Sequence, residues 1–178
     1  MQMEKKAKEI IVVENLGNDE VPGNFMQNYF THILCHEGSG QFSIDDKKWN
    51  IGKNDIAILL PNTEIQDLKF SPGFKATFLL VSYDLMSKNN PDISWAIKGY
   101  LFSKENPVVS LKEDVAGKRR QAFYLLKEKY GDNNNRFRNE IVNHQLQIFI
   151  LEMWNVFAGK IAQQIKSNEG GSTFQRFL

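Results

Sequence analysis

One cysteine, Cys35, occurs in 178 residues. A lone thiol closes no internal disulfide, so the fold has to rest on a packed core, as in a reducing compartment. Cys35 sits in an apolar stretch with no Lys or Arg placed to lower its pKa, which suits buried filler rather than a reactive thiol. Excess charge is missing as well. Lys plus Arg number 22 against 21 Asp plus Glu, a net charge of +1. So balanced a surface carries no electrostatic footprint for nucleic acid. The densest basic run, Lys118-Arg119-Arg120, reads as a solvated helix face. Long apolar runs are absent. Ile10 to Val13 is shorter than a signal-peptide core, and Ile56 to Leu60 is far too short to span a bilayer, so the expected location is cytoplasmic. No phosphate-cradling glycine loop is present, since Gly38-Ser39-Gly40 lacks the further Gly or Lys-Ser/Thr that would make it one. With His32, His36 and His144 the only histidines, no Ser-His-Asp or Cys-His catalytic set can be assembled. These absences favour a binding module over a catalyst.

What is present divides into two textures. Up to about residue 83 the chain reads as short strands and turns. Tyr29 to Cys35 is rich in β-branched and aromatic residues. Gln41 to Ile44 and Lys48 to Ile51 flank Asp45-Asp46-Lys47, a hairpin signal, because Asp tolerates positive φ. Ile56 to Leu60 is a continuous apolar strand stopped by Pro61-Asn62. Ile65 to Phe70 is followed by Ser71-Pro72-Gly73, which suits a type II turn, and Phe74 to Tyr83 is the last long strand. About six strands at such spacing predict a sandwich or barrel. Asp84 to Asn106 is ambiguous, with a breaker at Asn89-Asn90-Pro91 and a short helix over Ser94 to Leu101.

The rest is helical. Ser110-Leu111-Lys112-Glu113 is a capping-box pattern. Leu111, Val115, Ala122, Leu126 and Tyr130 recur at helical spacing, and Gly131 is a C-terminal stop. A second helix is expected from about Arg136 to about Ile165. One of its stripes is Val142, Leu146, Phe149, Met153 and Val156; another is Ile150, Trp154, Phe157, Ile161 and Ile165. A helix this apolar around its circumference is buried on more than one side. The simplest cover for the second side is the same helix of another chain. Ile150, Trp154, Phe157 and Ile161 are the expected dimer contact, with the other stripe as the alternative. Beyond Ile165 the composition is that of a flexible linker, ending in Phe174-Gln-Arg-Phe-Leu178.

His32, Cys35, His36 and Glu37 form a metal-like cluster in sequence only. Strand alternation turns Cys35 and Glu37 away from the histidines, which lie ~13 Å apart along an extended strand. That is too far for two ligands of one ion.

The stretch from His32 to Asn62 resembles a cupin core, and most of all the N-terminal sensing domain of AraC-type transcription regulators. It has a strand ending in Gly38-x-Gly40, a short hairpin, Gly52 then Asp55, an apolar strand, and Pro61-Asn62. Phe74 to Tyr83 followed by Asp84-Leu85 continues the pattern. Asn106 to Leu111 resembles the family's connector into paired helices, and Phe174 to Leu178 the segment leading to its DNA-binding half. The resemblance implies a mainly β fold with α: a cupin-like barrel with an N-terminal arm over residues 1–109, a two-helix antiparallel dimerisation hairpin over 110–165, and a linker over 166–178 toward a missing helix-turn-helix domain. It implies a bacterial homodimer that binds a small-molecule effector and touches DNA only through that missing domain, with no membrane partner and no cofactor.

The resemblance also places the metal ligands of cupin enzymes at Thr31, near Phe25 and Gln27, and at Ile65. Phe25 and Ile65 cannot ligate, and Gln27 and Thr31 do so weakly, which points to the sensor branch and to no metal. In the same registration Thr31 faces inward, and with it Tyr29, Ile33 and Cys35. Tyr29, Thr31, Ile33, Phe42, Trp49, Ile65 and Phe78 are then the expected ligand-binding residues, unless they are simply barrel core. The alternative from another class is a small cupin isomerase or dioxygenase.

Overall fold

A computed structural model describes residues 7–16 and 27–167. The expectations that rest on Phe25 and on residues 168–178 lie outside them. The described residues form eight strands and four helices. The strands are β1 (Ile10–Glu14), β2 (Tyr29–Glu37), β3 (Ser39–Ile44), β4 (Lys47–Gly52), β5 (Asp55–Leu59), β6 (Gln66–Phe70), β7 (Lys75–Ser82) and β8 (Val108–Ser110). They make two antiparallel sheets, one in the order β1-β7-β2-β5-β8 and one in the order β4-β3-β6. The β3–β4 hairpin closes on Asp45 and Asp46, both at positive φ (48° and 63°), with Ile44 paired to Lys47. A two-residue loop with both centres left-handed matches the twist of its strands, which explains two Asp there.

Why β2, β5 and β7 read as unbroken apolar runs is now clear: both faces of the five-stranded sheet are covered. Ile33, Cys35, Ala57, Leu59, Ala76, Phe78 and Leu80 face the small sheet, where Phe42 and Ile51 complete an inter-sheet core. Their neighbours Leu34, Ile56, Ile58, Leu79 and Val81 face the opposite way, into a second core shared with the helices. A strand buried on both sides loses the period-two alternation of a half-buried one.

The helices are α1 (Tyr83–Lys88), α2 (Ile93–Glu105), α3 (Glu113–Gly131) and α4 (Arg138–Ser167). Asn89-Asn90-Pro91 breaks α1 from α2, and the Asp92 carboxylate starts α2 by accepting from the Trp95 amide at 2.9 Å. Helix takes 45% of the described residues and strand 31%. The helices are therefore a full layer over the large sheet rather than an appendage. α3 and α4 lie side by side with their contacts in opposite chain order. Arg138 Nε donates to the Tyr130 carbonyl, Phe123 meets Phe149 at 5.9 Å, and Arg119 pairs with Glu152.

Several local expectations are corrected. Ser110 caps nothing. It belongs to β8, and its hydroxyl donates to Asp55 Oδ1 at 2.8 Å, while α3 begins after Lys112 with no side-chain cap. The turn Ser71–Phe74 closes by a 3.0 Å bond from the Phe74 amide to the Ser71 carbonyl, but Gly73 is not at positive φ, as a type II turn needs. The tight position is Gly38 (φ 76°), where a Cβ would come within 2.8 Å of the Gly73 backbone. Arg119 is not part of a solvated basic face. It is 3% exposed, with its guanidinium 5.1 Å from the Phe149 ring and a bond at 3.4 Å to the Phe149 carbonyl.

The expected dimer stripe is also corrected. Ile150, Phe157 and Ile161 are buried within the chain, and Trp154 packs against the same core. The alternative stripe, Val142, Leu146, Phe149 and Met153, is buried too. Both faces of α4 find cover at home, because α1, α2, α3 and the sheet surround it.

Candidate functional site

A cavity of about 1150 Å³ lies between the helix-facing side of the large sheet and α1, α2 and α4. Its position follows from strand alternation. The residues of β2 that do not face the small sheet face the helices, so His32 becomes part of the cavity wall, with Ile58 of β5 beside it in register. From α4 come Phe149, Ile150, Met153, Trp154 and Phe157, and toward solvent stand Lys8, Asp84, Ile93, Ile97 and Tyr100.

Two polar ties join α4 to the ends of α1 and α2. Asn89, buried after α1, donates to Asn143 Oδ1 at 3.1 Å and accepts from Gln147 Nε2 at 3.3 Å, fastening α1 to α4. Asn106, at the end of α2, accepts from Gln164 Nε2 at 3.1 Å. Between the ties α2 crosses α4 at Gly99, where a Cβ would stand 3.1 Å from Trp154 Nε1. A Cβ at that crossing would require Trp154 to give way by a few tenths of an ångström.

His32 is the unusual group in the wall. It is 5% exposed, its Nδ1 is sealed from solvent without a hydrogen-bond partner, and its ring lies 5.4 Å from Phe149 and 6.3 Å from Phe123. Burial, and then the Arg119 charge, hold its pKa down at about 3, so the ring is neutral. His36, on the same side of the strand, is half-buried and bonded through Nε2 to Thr77 Oγ1 at 2.6 Å. The two histidines do not meet, and among the described residues no group of three or more His, Cys, Asp or Glu could hold a metal. Cys35 is buried, its thiol bonded to the Glu37 and Gly38 carbonyls at 3.5 and 3.7 Å and pushed up to about 11 by burial and then by Asp55.

The residues expected to bind a ligand are elsewhere. Ile33, Phe42 and Phe78 are buried in the inter-sheet core, and Tyr29, Trp49 and Ile65 pack against it. Thr31 is fully buried on the same strand face, its Oγ1 without a partner. These side chains fill the space between the sheets, as small barrels are filled. Only Tyr29 also borders the cavity, where its hydroxyl donates to the Lys8 carbonyl at 2.7 Å. A cupin metal does not fit here either: Thr31 offers one hydroxyl and Ile65 nothing, and both histidines of β2 lie on the other side of the sheet. Sequence reasoning placed His32 on the strand's outer face but passed over it as a site. Its signal was a histidine in an apolar strand opposite an aromatic-rich helix.

No helix among the described residues is long and apolar enough to cross a membrane. No family model matches the sequence, and no curated protein is similar to it at the level of sequence. Solved structures are similar in fold. The AraC-like transcriptional activator CuxR superposes with a TM-score of 0.51 at 11% identity, covering 83% of this chain and 51% of CuxR. ToxT of Vibrio cholerae, in a structure with bound unsaturated fatty acid, gives 0.42 at 10% identity over 93% of this chain and 57% of ToxT. A Cupin 2 conserved barrel protein of Salinispora arenicola gives 0.32 at 10% identity over 47% of this chain and 72% of its own. The chain spans about half the length of CuxR and shares with that half the fold of an AraC-like activator.

Proposed function

We propose that this chain is the effector-binding and dimerisation part of a bacterial AraC-type transcription regulator, a binding module and not an enzyme. The proposal includes a cupin-like barrel, a helical dimerisation layer, and contact with DNA only through a further domain. The observation that carries it is the cavity of about 1150 Å³ between the sheet and the helices, in a chain with the fold of an AraC-like activator. The cavity wall joins apolar and aromatic side chains such as Ile58, Phe149, Met153 and Phe157 to polar ones such as Asn62, Asp84 and Ser103, and a concave site with an apolar wall and placed polar groups suits a small molecule. Its position also supplies a route for a signal. A ligand touching α1, α2 and α4 at once favours one arrangement of those helices over another, and that differential affinity is what a switch requires.

Uptake of an uncharged hydrophobic dye, Nile red, tests the reading. One dye per chain should bind with enhanced emission. Ala96→Trp, which places an indole on the cavity wall, should abolish it without altering the far-ultraviolet circular dichroism. Dye binding indifferent to Ala96→Trp would move the site, and no dye binding at all would remove the cavity from consideration.

A further inference from the structure

The buried ring of His32 is not explained by packing alone. An imidazole among Phe123, Phe149 and Ile58 carries two polar nitrogens where an apolar ring would carry none. Buried polar groups in native proteins are almost always paired, and an exception asks for a reason. Nδ1 has no partner and no solvent, whereas Nε2 is not one of the sealed, unpartnered atoms. A buried donor left unmade is costly, and an orphaned N–H is rarer in proteins than an under-used acceptor. The proton therefore belongs on Nε2, and the ring borders the cavity.

We infer that His32 is the recognition residue of the cavity, offering its Nε2–H to an acceptor oxygen of an uncharged, largely apolar ligand such as a ketone or an alcohol. The inference rests on the cavity being the effector site. The charge balance around the ring supports the neutral class. The nearby cation, Arg119, is already paired with Glu152 and bonded to the Phe149 carbonyl. Lys8 stands exposed near solvent rather than at the inner wall. A carboxylate against His32 would lose its water with no free cation to replace it. Nor does the ring charge to meet it, since burial and then the Arg119 charge hold its pKa down at about 3 and keep it neutral at pH 7.

Three probes of one shape separate the possibilities: 2-acetylnaphthalene, 2-ethylnaphthalene and 2-naphthoate, titrated at pH 7 by quenching of tryptophan fluorescence, since Trp154 lines the cavity. Wild-type protein should bind the ketone about fivefold more tightly than the hydrocarbon, the advantage of one net hydrogen bond. The carboxylate should bind more weakly than the ketone. His32→Phe should bring the ketone down to the hydrocarbon's affinity and leave the hydrocarbon unchanged. His32→Gln, which keeps an N–H, should retain part of the preference. Equal affinity for ketone and hydrocarbon, or a ketone preference that survives His32→Phe, would overturn the role of His32 while leaving the cavity reading intact. Tightest binding of 2-naphthoate would overturn the neutral class. Failure of all three to bind would sink the cavity reading and the inference with it. If His32→Phe does not fold, imidazole nitrogen NMR of the wild type decides: the ketone, and not the hydrocarbon, should shift the protonated Nε2 signal, and an unmoved signal counts against the inference.

Discussion

At the scale of single residues, burial decides the chemistry. His32 and His36 share one strand face, yet one is buried against Phe123 and Phe149 at the cavity wall and the other is bonded at the margin. The folded pKa of His32, about 3, lies below the unfolded value near 6.5, so between those values the unfolded chain binds the extra proton. Stability is then fully present above pH 6.5 and is lost as pH falls toward 3. From pH 7 to pH 5 this one group should remove roughly 2 kcal/mol. Urea unfolding of wild type and His32→Leu at the two pH values checks it: the wild type should lose about 2 kcal/mol more than the variant, and an equal loss would mean the ring is hydrated. Some residue roles were legible in the sequence. The Asp45-Asp46 turn and the Asn89 breaker follow from local backbone preference. Ser110 was not, because its hydroxyl is taken by Asp55, far away along the chain. Arg119 was not, because its partner Glu152 sits on another helix.

At the scale of elements, α4 shows where a pattern of apolar residues stops being informative. Its two stripes correctly announced burial on two sides. They did not say whether a second chain or the first supplies the cover. The structure supplies it from α1, α2, α3 and the sheet, and leaves outward only Ile148 and Leu151 (49% and 50% exposed) as large apolar groups on this helix. If the chain dimerises through α4, that outward face is where contact can be made without unfolding. Phe157→Glu should therefore destroy the fold rather than split a dimer, since it puts an unpaired carboxylate into a core at a cost of several kcal/mol. Leu151→Glu should keep the fold and, in sedimentation at tens of micromolar, shift any dimer to monomer. A folded Phe157→Glu, or a dimer indifferent to Leu151→Glu, would contradict this assignment. Gln147 bonds Asn89 and so ties α4 to the end of α1, and a change there should loosen that contact.

At the scale of the molecule, the architecture is three layers: a small sheet, a large sheet covered on both faces, and a helical layer. The cavity sits at the second interface, and the first is filled by side chains of both sheets. The net charge is +1, and among the described residues the densest basic run is interrupted by the buried Arg119, which leaves little charge to hold phosphates. In a gel shift at physiological salt the chain should leave duplex DNA unshifted, whereas a protein that joins it to the further DNA-binding domain proposed above should shift DNA. Salt-resistant, specific retention by these 178 residues would contradict the division of labour proposed.

Local chemistry along the chain was enough to settle β2 to β7, the Asp45-Asp46 hairpin, the two long helices and the inward set of β2, since these depend on side-chain period and on backbone preference within a few residues, whereas β1 went unread. Tyr29, Ile33, Phe42, Trp49, Ile65 and Phe78 were correctly read as facing one interior. Whether that interior would be filled or hollow was beyond sequence, because it depends on how closely two sheets approach and how their side chains interdigitate. The same holds for the cover over α4 and for the cavity behind His32. Each is a property of the space between elements distant in the chain, and only tertiary packing creates that space.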